Sequence, residues 1–205
     1  MPAAAPPRLP LATAAGLLGT CALLVIGAAA LLQPLPPAAP RRSGPAAGAQ
    51  TTGPCGLGAD AFLRGRLFGA LDLAVDWAGA GLACSGMLRP DGAGIRLFFA
   101  GTPPGGGRVS VIIGVDGAPE ALTGGERPAN VTIIDERDSR FFSTGGPGRC
   151  WANIGTLAPL PATKGRPKGL RLDGLVYCVG ALPSLTDRSS LTFRELRFAG
   201  SVATE

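Results

Sequence analysis

The chain has no histidine. That absence excludes Ser-His-Asp and Cys-His nucleophilic sites, imidazole zinc sites and the usual proton shuttle near neutral pH. Acidic residues are missing from the whole segment before Cys55, which carries only Arg8, Arg41 and Arg42 as charged side chains. The formal net charge of +5 therefore overstates the basicity of the rest, where acids and bases nearly balance. No basic stripe of the kind that neutralises phosphates is present, which argues against nucleic acid as a partner. Lysine is reduced to Lys164 and Lys168 among 19 basic residues. With abundant Ala, Gly and Pro, that arginine bias suggests a GC-rich, bacterial coding sequence. After Cys55 no apolar repeat at helical spacing is sustained. No paired Cys-x-x-Cys spacing suggests a structural zinc site either. No metal and no cofactor is expected.

What the sequence does have begins with Leu11 to Leu32, an uncharged run rich in Leu, Ala, Val and Ile. As a helix it would span about 33 Å, enough to cross a bilayer. After a short segment 1–10, residues 11–32 are expected to form a transmembrane signal anchor. The alternative is a signal peptide cleaved near Ala28-Ala29-Ala30. A lipoprotein signal at Leu18-Gly19-Thr20-Cys21 fits less well, because the apolar run continues past Cys21. Residues 33–54 are rich in Pro, Ala and Gly and bury too little apolar area to fold, so they suit a spacer.

Residues 55–205 are expected to fold as an all-β domain: a two-sheet sandwich or jelly roll, with a closed barrel as the alternative. Leu71, Leu73, Val75 and Trp77 alternate with Asp72, Ala74 and Asp76, the period of a half-buried strand. Further strands are expected near 62–68, 82–88, 95–100, 108–115, 130–135, 140–143, 170–180 and 190–202. Arg89-Pro90-Asp91-Gly92 and Asp116-Gly117 suit turns. Residues 118–129 and about 156–168 read as loops. In the last strand Leu191 and Phe193 share one face and Leu196 and Phe198 the other. A bulge near Arg194-Glu195, or a strand passing between sheets, would explain the switch.

Cys84-Ser85-Gly86-Met87-Leu88 followed by Phe99-Ala100-Gly101 is echoed by Cys178-Val179-Gly180-Ala181-Leu182 followed by Phe198-Ala199-Gly200. The echo suggests two matched hairpins. Cys55 precedes Cys84, and Cys150 precedes Cys178, at nearly equal spacing. Four cysteines in an exported domain favour two disulfides, Cys55–Cys84 and Cys150–Cys178.

No catalytic residue is nominated. Trp77, Trp151 and Tyr177 are weak candidates for an aromatic ligand platform, although such residues more often fill a core. Asp135 and Glu136 lie in a charged stretch, Asp135-Glu136-Arg137-Asp138-Ser139-Arg140, which reads as a hairpin turn with a carboxylate site as its sharper alternative. Phe98-Phe99 and Phe141-Phe142 place one ring on each face of a strand, so one face is either covered or offers an apolar patch. The expected function is a binding or interaction module of the bacterial envelope. It would be held to the inner membrane through residues 11–32 with its domain in the periplasm, or secreted to the periplasm. Its partner would be an envelope protein or a glycan. The alternatives are a carboxylate-dependent enzyme acting on glycans, for which Asp76, Asp135 and Glu136 are the acids to inspect, or a structural accessory subunit.

Overall fold

The computed structural model describes Cys55, 57–146, 148–164 and 167–204. The segments expected as N-terminal leader (1–10), membrane helix (11–32) and spacer (33–54) lie outside the described residues. Among the described residues no helix is long and apolar enough to cross a membrane.

The described fold is all-β, with helix limited to short 3-10 turns at Gly58–Asp60, Gly79–Gly81 and Pro119–Ala121. The strands are β1 (Phe62–Gly69), β2 (Leu73–Ala78), β3 (Ala83–Leu88), β4 (Gly94–Gly101), β5 (Val109–Asp116) and β6 (Glu126–Asp135). They continue as β7 (Arg140–Ser143), β8 (Cys150–Leu160), β9 (Gly169–Cys178), β10 (Leu182–Pro183) and β11 (Ser190–Ala203). Hydrogen-bonded neighbours run β11-β3-β4-β5-β6-β8-β9, and β9 pairs back to β11. These seven strands close a barrel, so the two separate sheets of a sandwich do not form. The outcome turns on register between distant strands, Leu196 with Val176 through Ala203 with Gly169, which alternation within one strand does not encode.

Alternation does set which side chains point inward. Val109, Val111, Ile113 and Val115 of β5 are buried, as are Ile95, Leu97 and Phe99 of β4. With Val131, Ile133, Ile154, Leu172, Val176 and Phe198 they join one continuous core. Burying a side chain of this size contributes about 1.5–3 kcal/mol. Closure also leaves the ring strands without free edges.

β11 holds the architecture together. Its first part pairs with β1 and with β10, its middle with β1 and β9, and its end with β9 and, through Ala203 and Met87, with β3. β1 and β2 therefore form a ribbon outside the ring. The β1–β11 register shifts between Gly65–Leu196 and Leu67–Phe193. Arg194 and Glu195 occupy the shift, at the position the sequence suggests for a bulge. Its effect is that Leu191, Phe193, Leu196 and Phe198 are all buried.

Both expected disulfides are formed. Cys55 joins Cys84 across a Cα separation of 4.8 Å, and Cys150 joins Cys178 across 4.0 Å. Cys150 and Cys178 are direct cross-strand partners on β8 and β9. The two echoed segments differ in register: Cys84 pairs with Phe99, whereas Phe198 pairs with Gly174 rather than with Cys178. Phe99 and Phe198 still meet, with ring centroids 6.0 Å apart. Two expected loops are shorter than the sequence suggests. β6 begins at Glu126 and β8 runs to Leu160, its register shifting between Ile154 and Thr156.

Candidate functional site

The aromatic candidates separate. Trp77 is buried, and its indole fills the space beside Gly101, where a Cβ would lie 2.4 Å from the ring. It belongs to the core and forms no ligand platform. Its own alternation with Leu73 and Val75, both buried, places it there.

Trp151 and Tyr177 are half-buried on the outer face of the barrel. They are cross-strand partners one residue along from the Cys150–Cys178 pair, with which they alternate in direction. Their rings stack with centroids 5.9 Å apart and planes 25° apart. Tyr177 Oη donates a 2.8 Å hydrogen bond to Glu126 Oε1. That bond, first among the causes, raises the phenol above its ordinary pKa, helped by desolvation and by the Glu126 charge. The disulfide fixes the two strands and the hydrogen bond fixes the phenol, so the pair is preorganised.

A shallow trough of about 330 Å³ continues along the same strands, lined by Asn153, Gly155, Asp173, Leu175, Arg197 and Phe62 among others. Asn153 lies two residues from Trp151, about 6.6 Å along the strand. Leu175 is equally far from Tyr177. Asn153 pairs with Leu175, which pairs with Arg197, so the three form one row across β8, β9 and β11. Arg197 Nε contacts Glu195 at 2.8 Å and is largely exposed. Asp173 and Asn153 have no side-chain hydrogen bond or ion pair among the described residues. A free carboxylate, a free amide and a guanidinium therefore sit beside two stacked rings.

Gly155 forms part of this trough, and it differs from most glycines of the strands. A Cβ would come within 2.3–2.7 Å of other atoms at Gly65, Gly69, Gly86, Gly94, Gly101, Gly169 and Gly174, and within 3.2 Å of Phe99 at Gly200. Internal packing accounts for all of these. At Gly155 the nearest atom is Asp173 Oδ2 at 3.5 Å, and at Gly114 it is the Asn130 carbonyl at 3.9 Å, with φ in the ordinary range at both. No close contact requires a glycine at 114 or 155, although Gly155 is the unpaired residue where the β8 register shifts, a place that glycine often marks. Each borders a surface depression. A strand glycine often marks where a ligand or another backbone approaches. A lone glycine in the β-branched run Val109–Asp116 is the sequence signal for one of these places.

The carboxylate candidates are engaged elsewhere. Asp135 is buried and accepts from Arg140 at 2.8 Å. Arg140 also bonds Asp138 and the Ala70 carbonyl, which ties the β6–β7 turn to the segment before β2. Asp135 bonding is the largest of the influences that hold the Arg140 guanidinium above its ordinary pKa. Glu136 accepts from Ser110 Oγ at 3.2 Å and lies 3.5 Å from Arg108. Asp76 is exposed and paired with Arg64 at 3.0 Å, and Asp72 is paired with Arg66 at 2.9 Å. These acids serve as partners of arginines.

The phenylalanine pairs divide as strand geometry requires. Phe99 and Phe142 are fully buried, whereas Phe98 is half-buried and Phe141 is 39% exposed. No family model, curated protein or solved structure matches this chain.

Proposed function

We propose that the protein is a binding module without catalytic machinery, exported to an oxidising compartment, and that it takes an extended saccharide across the outer face of β8, β9 and β11. Export is supported by the apolar run 11–32 and by the two disulfides, since disulfides persist outside the reducing cytosol. Anchoring in the inner membrane, with the barrel presented to the periplasm of a bacterial envelope on the 33–54 spacer, fits the same observations.

The observation that carries the ligand assignment is the Trp151–Tyr177 stack beside the free Asn153 and Asp173. Sugar rings present one apolar C–H face and a rim of hydroxyls. Aromatic rings take the face, and amide, carboxylate and guanidinium groups take the rim. Trp151 covers one side of the Tyr177 ring, and β11 lies on the other side of β9. A shallow trough of about 330 Å³ on an open sheet face suits units within a chain rather than the end of one.

Calorimetric titration of the full-length chain with a panel of soluble neutral and amino-sugar oligosaccharides tests the proposal. At least one oligosaccharide is expected to bind, and Trp151→Ala is expected to weaken it about tenfold, the loss of one stacking contact and the order it imposes. Absence of binding across the panel, or equal binding by the variant, would overturn it.

A further inference from the structure

Gly114, which no close contact, bulge or turn accounts for, points to another site, on a different face of the barrel. Cross-strand neighbours Met87, Arg96, Gly114 and Asn130 form a row over β3, β4, β5 and β6. The next row on the same face runs Phe98, Ile112, Thr132. The missing side chain at Gly114 leaves a depression of about 570 Å³, lined by Met87, Pro90, Arg96, Ile112, Asn130 and Thr132 among others. That volume falls within the range of small-ligand sites, about 300–1,000 Å³. Met87 is 42% exposed, so its thioether is available as an adaptable apolar wall.

The charges around the depression are unequal. Arg89 is satisfied by Asp116 at 2.6 Å and Asp91 at 2.9 Å. Arg96 is exposed and has no ion pair or hydrogen bond among the described residues. Asn130 Oδ1 accepts from Thr144 Oγ1 at 3.3 Å, which leaves the amide donors of Asn130 turned to other partners. The depression thus offers a free guanidinium on one side, free amide donors on the other, and an apolar floor between them.

We propose that this notch binds a peptide segment of a protein partner in which an acidic residue stands beside an apolar one. The carboxylate pairs with Arg96, the apolar side chain lies over Gly114 between Met87 and Ile112, and a backbone carbonyl accepts from Asn130. Thr132 Oγ1 is already hydrogen-bonded to Ser143 Oγ at 3.2 Å, but a hydrocarbon chain with a terminal acid would satisfy Arg96 and leave the amide donors of Asn130 facing apolar matter, at a cost in unmade hydrogen bonds. A peptide supplies a carboxylate for Arg96 and a backbone carbonyl for Asn130. Gly114 has a role under this assignment that no contact within the barrel gives it.

The test uses the full-length chain labelled with nitrogen-15 and a capped tetrapeptide of leucine, glutamate, leucine and alanine, followed by amide chemical shifts. Saturable shifts are expected at Gly114, Ile112 and Met87. The glutamine counterpart of the peptide is expected to bind about tenfold more weakly, as a lost charge-assisted bond implies. Arg96→Gln should erase that preference. Gly114→Val should abolish binding without lowering the melting temperature, because the Cβ meets nothing closer than 3.9 Å. Shifts confined to the Trp151 face, equal binding of both peptides, binding by Gly114→Val, or decanoate binding as tightly as the peptide would each overturn the assignment. The oligosaccharide titration stands apart from all of these outcomes.

Discussion

The indole of Trp77 occupies the place that a side chain on Gly101 would take, 2.4 Å from its ideal Cβ. β2 hydrogen-bonds only to β1 among the named strands, so this contact is one of those that fasten the β1–β2 ribbon to the barrel. Gly101→Ala forces either the ring or strand β4 to move. Denaturant unfolding should show a loss of about 1–3 kcal/mol, the usual cost of overpacking a core. An unchanged midpoint would show that the ribbon shifts freely.

Gly114 and Gly155 predict the opposite sign. Both have ordinary φ and room for a methyl group. Alanine at either position should raise stability by about 0.5–1 kcal/mol, by removing the conformational freedom of glycine from the unfolded chain. A loss of stability at both positions would mean that packing, and not ligand access, accounts for these glycines.

The disulfides close loops of 29 and 28 residues in sequence separation. Replacing Cys150 and Cys178 together by Ser should lower stability by about 3–4 kcal/mol in the chain-entropy model. The Trp151–Tyr177 face should loosen with them, since the same two strands carry both pairs. Alkylation of the non-reduced protein followed by mass spectrometry should find Cys55, Cys84, Cys150 and Cys178 all protected. Modification of these four would remove the pairing.

Tyr177 is the single tyrosine of the chain, so its ionisation can be followed by phenolate absorbance without overlap from another. The Glu126 hydrogen bond favours the protonated phenol in the folded state, and the titration midpoint should lie above the ordinary phenol value. A folded pKa raised above the unfolded one stabilises the fold fully below the unfolded value. That contribution is lost as pH rises through the folded value. Glu126→Ala should bring the midpoint back toward the ordinary phenol value. A midpoint that does not move would show that Glu126 leaves the ring free.

The local pattern carried much of this structure. Alternation at Leu73, Val75 and Trp77 put that tryptophan inside, and the near-equal cysteine spacing paired the sulfurs correctly. The turn at Arg89-Pro90-Asp91-Gly92 and the bulge at Arg194-Glu195 lie where local chemistry places them. A closed barrel stood as the alternative to the sandwich, and the choice between them was not legible, because it depends on how β9 and β11 align and strands of similar composition permit several alignments. The echo between Cys84 and Cys178 suggested equivalent hairpins, but Phe99 pairs with Cys84 while Phe198 pairs with Gly174. Of the proposed saccharide face, Trp151 and Tyr177 could be named from residue type alone. Asn153, Asp173 and Arg197 could not, since only the pairing of β8 with β9 and of β9 with β11 brings them into one trough.

Intrinsic fluorescence of the full-length chain during an oligosaccharide titration tests saccharide binding most directly. The chain has two tryptophans, Trp77 in the core and Trp151 on the outer face. Emission is expected to change saturably and the change to disappear in Trp151→Phe, with the buried Trp77 contributing none of it. A titration without any change, or a change that survives in Trp151→Phe, would contradict saccharide binding at this face.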